Sequence, residues 1–190
     1  MTTKFELVAF TAADVQVVRS WIPHGDALVE WAGTLYSWPL TDAQMLQHYE
    51  RALPPDAICK PFKYVAASDG SMAGYVELNR IDRHHRNAAL SRVIIDPSRR
   101  GLGLARPMLD AVLKVAFLEL GLHRVELAVY AHNRPALRCY EGMGFVREGC
   151  LRELTRVGDS YWDEIRMSLL EHEFGGRFRS IDADATARSR

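Results

Sequence analysis

Cysteine is scarce: Cys59, Cys139 and Cys150 are the only three in 190 residues, with no C-x-x-C pair and no zinc-type spacing. That excludes a disulfide framework and gives no support to a structural metal site, and it points to a reducing compartment. Net charge is also absent, since 24 Lys and Arg balance 24 Asp and Glu. Long-range attraction to nucleic acid or to an anionic membrane surface therefore has no overall support. No apolar run approaches the roughly 20 residues that span a bilayer. The start, Met1 to Phe10, carries Glu6 inside its short apolar stretch and is a poor secretory leader. The expectation is a cytoplasmic protein with no metal, no nucleic-acid partner and no membrane partner. A chain that is 48% hydrophobic and 25% charged can form one domain with a sizeable core.

What is present is concentrated around one turn. Val93-Ile94-Ile95-Asp96-Pro97-Ser98-Arg99-Arg100-Gly101-Leu102-Gly103-Leu104-Ala105 runs from an apolar strand through a basic glycine turn into a long amphipathic helix. Glycines let backbone N–H groups approach a phosphate, and the helix start adds unpaired donors and the positive end of its dipole. A Walker loop needs Lys and then Ser or Thr after its second glycine, but Leu104 and Ala105 follow Gly103. The dinucleotide fingerprint needs a glycine where Arg106 stands. Both common diphosphate cradles fail, which also removes most of the case for a nicotinamide enzyme.

The pattern that fits is Arg-x-x-Gly-x-Ala, at Arg100, Gly103 and Ala105. Downstream, Asn133, Ala136, Tyr140, Gly144 and Phe145 match N-x-x-A-x-x-x-Y-x-x-x-G-F. Taken alone, Asn133 reads as a helix cap, Pro135 as a first-turn residue and Tyr140 as a packed aromatic. Joined, the two segments resemble the GNAT superfamily of acetyl-CoA-dependent N-acetyltransferases over roughly residues 5 to 170. The closest look is to the type that acetylates ribosomal-protein N-termini, a group that includes enzymes acting on small amines.

The coarse periodicity agrees with that fold. A strand over Phe5 to Phe10 precedes a helix capped at Thr11 to Asp14, and a second helix opens at Thr41 with Met45, Leu46, Tyr49 and Leu53 inward. A hairpin turns about Ser68 to Ser71, and Ala88 to Asp96 feeds the glycine turn. The helix after it carries a stripe of Ala105, Met108, Leu109, Val112, Leu113, Ala116 and Leu120 and ends at Gly121. A strand over Val125 to Tyr130, the short helix and a terminal strand pair follow. The resemblance implies an α/β (α+β) GNAT fold: a mixed, mostly antiparallel sheet of six to seven strands, helices on both faces, splayed at the acetyl-CoA site. The domain is expected over residues 1–172, with a weakly packed tail over 173–190.

The same resemblance implies site roles. Backbone groups of Val93 and Ile95 would pair with the pantetheine arm, the amides of Arg100, Gly101, Leu102, Gly103, Leu104 and Ala105 would bind the pyrophosphate, and Asn133 would hold the arm farther along. Tyr140 would protonate the departing sulfur. Its phenol, with a pKa of about 10, suits a thiolate of about 8.5. Related enzymes often carry a glutamate early in the strand before the loop, but Ala88-Ala89-Leu90-Ser91-Arg92 has none. Glu77 is the leading substitute as general base, because a carboxylate within a strand is expected to face solvent or a polar cleft. Asp82, His84 and His85 are weaker alternatives in a basic loop. A chain short of a strong base suits a low-pKa acceptor, such as an α-amino group at about 7.7 to 8.0 against about 10.4 for lysine. Cys139 lacks an identifiable His and acid partner, so direct attack in a ternary complex is expected rather than an acyl-enzyme. The partners implied are acetyl-CoA and a primary amine, either a peptide N-terminus or a small molecule, with a homodimer through the late strands possible. The aromatic stretch Trp31 to Leu40 reads equally as an acceptor pocket wall or as core. The competing function is an acyl-CoA-binding sensor without turnover.

Overall fold

The computed structural model describes residues 4–175. Seven strands form one sheet in the order β1-β2-β3-β4-β5-β7-β6: β1 (Phe5–Ala9), β2 (Lys60–Ala66), β3 (Met72–Asp82), β4 (Asn87–Ile95), β5 (Arg124–Tyr130), β6 (Val146–Val157) and β7 (Ser160–Leu170). All neighbours are antiparallel except β4 and β5, which run parallel because α4 (Ala105–Lys114) crosses between them. This is the mixed, mostly antiparallel arrangement expected.

Alternation along the strands divides the core in two. Val76 and Leu78 pack with Met108, Leu109, Val112 and Leu113 of α4 and Leu137 of α5 (Arg134–Gly142). Tyr75 and Ile94 point the other way, onto Phe10, Val15, Val18, Leu28 and Met45. The second layer is built by α1 (Val15–Ser20), α2 (Gly25–Ala32) and α3 (Asp42–Tyr49). Both expected caps form: Thr11 and Asp14 make a capping box, and the Thr41 side chain accepts from the Gln44 amide.

Four expectations need correction. The early helices number three, since α2 occupies a stretch read as a connection. Its N-cap is His24, whose ring accepts from the Ala27 amide, and histidine is not among the residues that ordinarily mark a helix start. Leu53 is 61% exposed rather than inward, because α3 gives way to a tight 3-10 turn over Glu50–Ala52 that breaks the phase. The long helix widens into a π turn over Val115–Glu119, which brings Phe117 into the core and leaves Leu120 only half-buried. Finally, Phe174, placed in the weakly packed tail, is buried against Phe117 at 4.9 Å between ring centroids. The rest of that tail, 176–190, lies outside the described residues. Among the described residues no helix is long and apolar enough to cross a membrane.

Candidate active site

The parallel ladder between β4 and β5 covers only Asn87↔Arg124 to Leu90↔Leu127, although β4 continues to Ile95 and β5 to Tyr130. At that point Arg92 has φ 52 and the β3–β4 register slips between Tyr75 and Glu77. This bulge turns β4 away from its neighbour. Trp31 of α2 holds the bend, its indole Nε1–H donating to the Arg92 carbonyl at 2.9 Å. The parted strands open a cleft of about 800 Å³. Val93 and Ile95 line it from β4, Arg100 and Ala105 from the glycine turn, and Asn133 and Tyr140 from the start and body of α5.

The glycine turn has the properties of an anion cradle. Asp96 tightens its entry by accepting from the Ser98 amide and hydroxyl at 2.9 and 2.8 Å. Gly101 and Gly103 adopt φ of 80 and 74, and a Cβ built on either meets nothing within 4 Å, so conformation and not crowding demands glycine there. Leu104 supplies no side-chain cap to α4, and the first turn contains no acid. Among the described residues the opening amides therefore have no capping side chain on the helix's positive end, beside Arg100 and Arg106. A diphosphate fits this donor set. Leu102, 70% exposed, contributes backbone only.

In α5, Asn133 accepts from the Ala136 amide at 3.1 Å, so its carbonyl oxygen is committed to capping while the residue still borders the cleft. Tyr140 is 8% exposed, edges the Phe145 ring at 5.8 Å, and has no hydrogen-bond partner for its hydroxyl among the described residues. Burial, and then its neighbour Cys139, raise the phenol well above its usual 10, so it keeps its proton at neutral pH. Gly144, at φ 84, ends the helix and lets the Phe145 amide return to the Tyr140 carbonyl at 3.0 Å. Cys139 also borders the cleft, but burial raises its thiol, the opposite of an activated nucleophile.

Glu77 is not where it was expected. It is 0% exposed and lies behind the cleft wall, not in it. Its Oε1 receives the Tyr75 hydroxyl. Oε2 receives Arg92 Nη2, His48 Nε2 at 3.0 Å and the Cys59 thiol at 3.2 Å. Burial alone would raise its pKa, but the hydrogen bonds from His48 and Arg92 outweigh that and bring it down to about 2. A carboxylate so enclosed and so weakly basic is badly placed to take a proton from a substrate directly. The strand rule failed because a third environment, an internal set of donors, was available. Asp82, His84 and His85 sit on the β3–β4 hairpin, with Asp82 capping the His85 amide, and none borders the cleft.

The ligating atoms of His48, Cys59 and Glu77 lie within 4.8 Å of one another, a grouping that sequence spacing concealed. The Arg92 guanidinium occupies the same carboxylate, and burial followed by Glu77 pushes the Cys59 thiol up to about 12. That chemistry suits four donors on one anion better than ligands around a cation.

Residues that border the cleft but were not singled out include Arg92, Glu30 of α2 and Glu164 of β7. Glu30 stands 3.7 Å from His132, and Glu164 is 15% exposed and 2.9 Å from Arg166. Of the aromatic stretch, Trp31 borders the cleft whereas Trp38 is 51% exposed and does not.

Comparison with known proteins agrees with this geometry. Residues 25–145 match the acetyltransferase (GNAT) family. The chain belongs to that family. It is therefore an N-acetyltransferase of the acetyl-CoA-dependent GNAT type. It is 29% identical over 170 residues to the SPbeta prophage-derived uncharacterized N-acetyltransferase YokL of Bacillus subtilis, covering 89% of this chain and 86% of YokL. It is 36% identical over 107 residues to the spermidine N(1)-acetyltransferase of Vibrio cholerae, over 56% of this chain and 61% of that one. A solved structure of spermidine N-acetyltransferase from Vibrio cholerae, in complex with CoA and spermine, superposes with a TM-score of 0.79 at 27% identity, covering 90% of this chain and 97% of that one. The expected leaning toward ribosomal-protein enzymes is corrected. YdaF of Bacillus subtilis, a candidate ribosomal N-acetyltransferase, matches at 30% over 108 residues, behind the spermidine enzymes.

Proposed function

We propose that this GNAT enzyme transfers the acetyl group of acetyl-CoA to the primary amine of a small molecule by direct attack in a ternary complex. The observation that carries the reading is a single opening: the uncapped start of α4, the free edge of β4 at Val93 and Ile95, and the phenol of Tyr140 all face one cleft. Acetyl-CoA supplies the thioester. The amides from Arg100 to Ala105 hold its pyrophosphate, Val93 and Ile95 align the pantetheine arm, Asn133 steadies it, and Tyr140 donates the proton that the departing thiolate needs. Glu77 serves this reaction at one remove, by fixing Arg92 in the wall. Of the carboxylates that border the cleft, Glu164 is less exposed than Glu30, 15% against 41%, and is the better placed to receive the acceptor's proton. The relatives that act on spermidine support a small-molecule acceptor over a peptide N-terminus.

The test combines coenzyme A uptake by calorimetry with thiol release in the presence of amines. Uptake with amine-dependent release is expected. Uptake without it would leave a coenzyme A-binding module. Tyr140→Phe should lower kcat by about 10²-fold or more, the usual weight of a positioned acid, with the Kd for coenzyme A within about twofold. Unchanged turnover would remove Tyr140 from the chemistry.

A further inference from the structure

The acceptor side of the cleft presents a guanidinium on a buried tether. Arg92 borders the cleft, its side chain is 8% exposed, and its backbone is pinned at the bulge by Trp31. It donates to Glu77 through Nη2, while its Nε is buried and has no partner among the described residues. A guanidinium carries five N–H donors, and a buried one left unmet is costly. Glu77 does not depend on Arg92 alone, because Tyr75, Cys59 and His48 also donate to it. The pair therefore forms a dipole, with the anion sealed inside and the cation in the wall. Elsewhere the wall carries the opposite sign at Glu164 and Glu30, with Arg80 and Arg100 also on the lining.

We infer that the acceptor is an amine bearing its own carboxylate, with the carboxylate received by Arg92 and the amine directed toward the acidic side. The inference rests on the acetyltransferase reading and narrows it. A polyamine would have to bring an ammonium beside the Arg92 guanidinium, so this chain departs in acceptor charge from the spermidine enzymes it resembles. A carboxylate in the cleft instead meets a cation in the wall and gains charge-assisted hydrogen bonds from the guanidinium in a water-poor setting.

The experiment measures kcat/KM for α-amino acids and β-alanine, for their primary amides, and for spermidine, in wild type, Arg92→Gln and Arg92→Lys. The readout is the acid-to-amide ratio, which partial loss of folded or active enzyme does not move. Calorimetric uptake of coenzyme A verifies that each variant retains its cofactor site. In wild type the ratio for the favoured acid should exceed about 10, with spermidine below that acid. Arg92→Gln should cut the ratio roughly 10- to 100-fold, the worth of a charge-assisted contact, and Arg92→Lys should fall between the two. A wild-type ratio near unity, a preference for spermidine over every acid-bearing amine, or a ratio unmoved in Arg92→Gln would each overturn the inference while leaving the acetyltransferase reading intact. Failure of every amine despite coenzyme A uptake would overturn that reading, and this inference with it.

Discussion

Replacing Glu77 by Gln removes a charge that the fold has enclosed completely. Glu77 is 0% exposed and receives Arg92, His48, Cys59 and Tyr75. Gln keeps the shape but offers one oxygen where the carboxylate offers two, and leaves the Arg92 guanidinium without a counter-ion. Breaking one side of a buried pair costs about 3–5 kcal/mol. The depressed carboxyl points to the same order of magnitude. A carboxyl held at about 2 instead of the ordinary 4.5 is worth roughly 3 kcal/mol at ~1.4 kcal/mol per tenfold change in proton affinity. The folded-state pKa is the depressed one, so this stability is fully present above the unfolded value near 4.5 and is lost as pH falls toward about 2. Urea unfolding at pH 7 should therefore show the variant destabilised by about 3 kcal/mol or more, and 3 kcal/mol corresponds to roughly 6–12 °C in Tm for a chain of this size. The gap between wild type and variant should shrink as pH falls from about 4.5 toward 2, since the unfolded carboxyl takes up its proton first and the folded one only near 2. Adding Arg92→Met should recover part of the loss, because the stranded cation is gone. A variant within about 1 kcal/mol of wild type at pH 7, or a gap that ignores acid, would refute the account of this cluster.

Two further changes probe the cofactor turn and the end of the domain. Gly103→Val places a β-branched residue at φ 74; the strain of about 1–3 kcal/mol should appear mainly as a tenfold or greater loss of coenzyme A affinity by calorimetry, and affinity equal to wild type would show that this amide does not bind it. Phe174→Ala removes a ring that is 2% exposed against Phe117 and should cost about 3–5 kcal/mol in thermal unfolding, whereas a loss below ~1 kcal/mol would return the segment to the tail.

The fold was legible wherever one physical signal dominated. Period-two alternation marked β5, the turn residues Ser68 to Ser71 marked the β2–β3 hairpin, and a seven-residue apolar stripe marked the long helix, because one-sided burial and turn chemistry are written directly into spacing. Thr11 and Thr41 announced their helices through side-chain chemistry. The misses came where the deciding term was tertiary. His24 caps α2 with a ring nitrogen, a role its residue type does not advertise. The π turn at Val115–Glu119 shifts the helix phase, and Phe117 then finds Phe174 from the far end of the domain.

The site divides along the same line. The half proposed to hold the cofactor is local: the turn at Gly101 and Gly103 and the helix from Asn133 to Tyr140 are each built within a dozen or so neighbours, so spacing reveals them. Its acceptor half is assembled from α2, β3, β4 and β7. Glu77 pairs across the ladder with Ser91, and only the slip after it, with Arg92 turned to φ 52, sets that guanidinium over the carboxylate. A bulge of one residue reverses which face a side chain takes, and composition alone cannot show it. The strand lacking the expected glutamate is thus also the strand that places a cation in the wall.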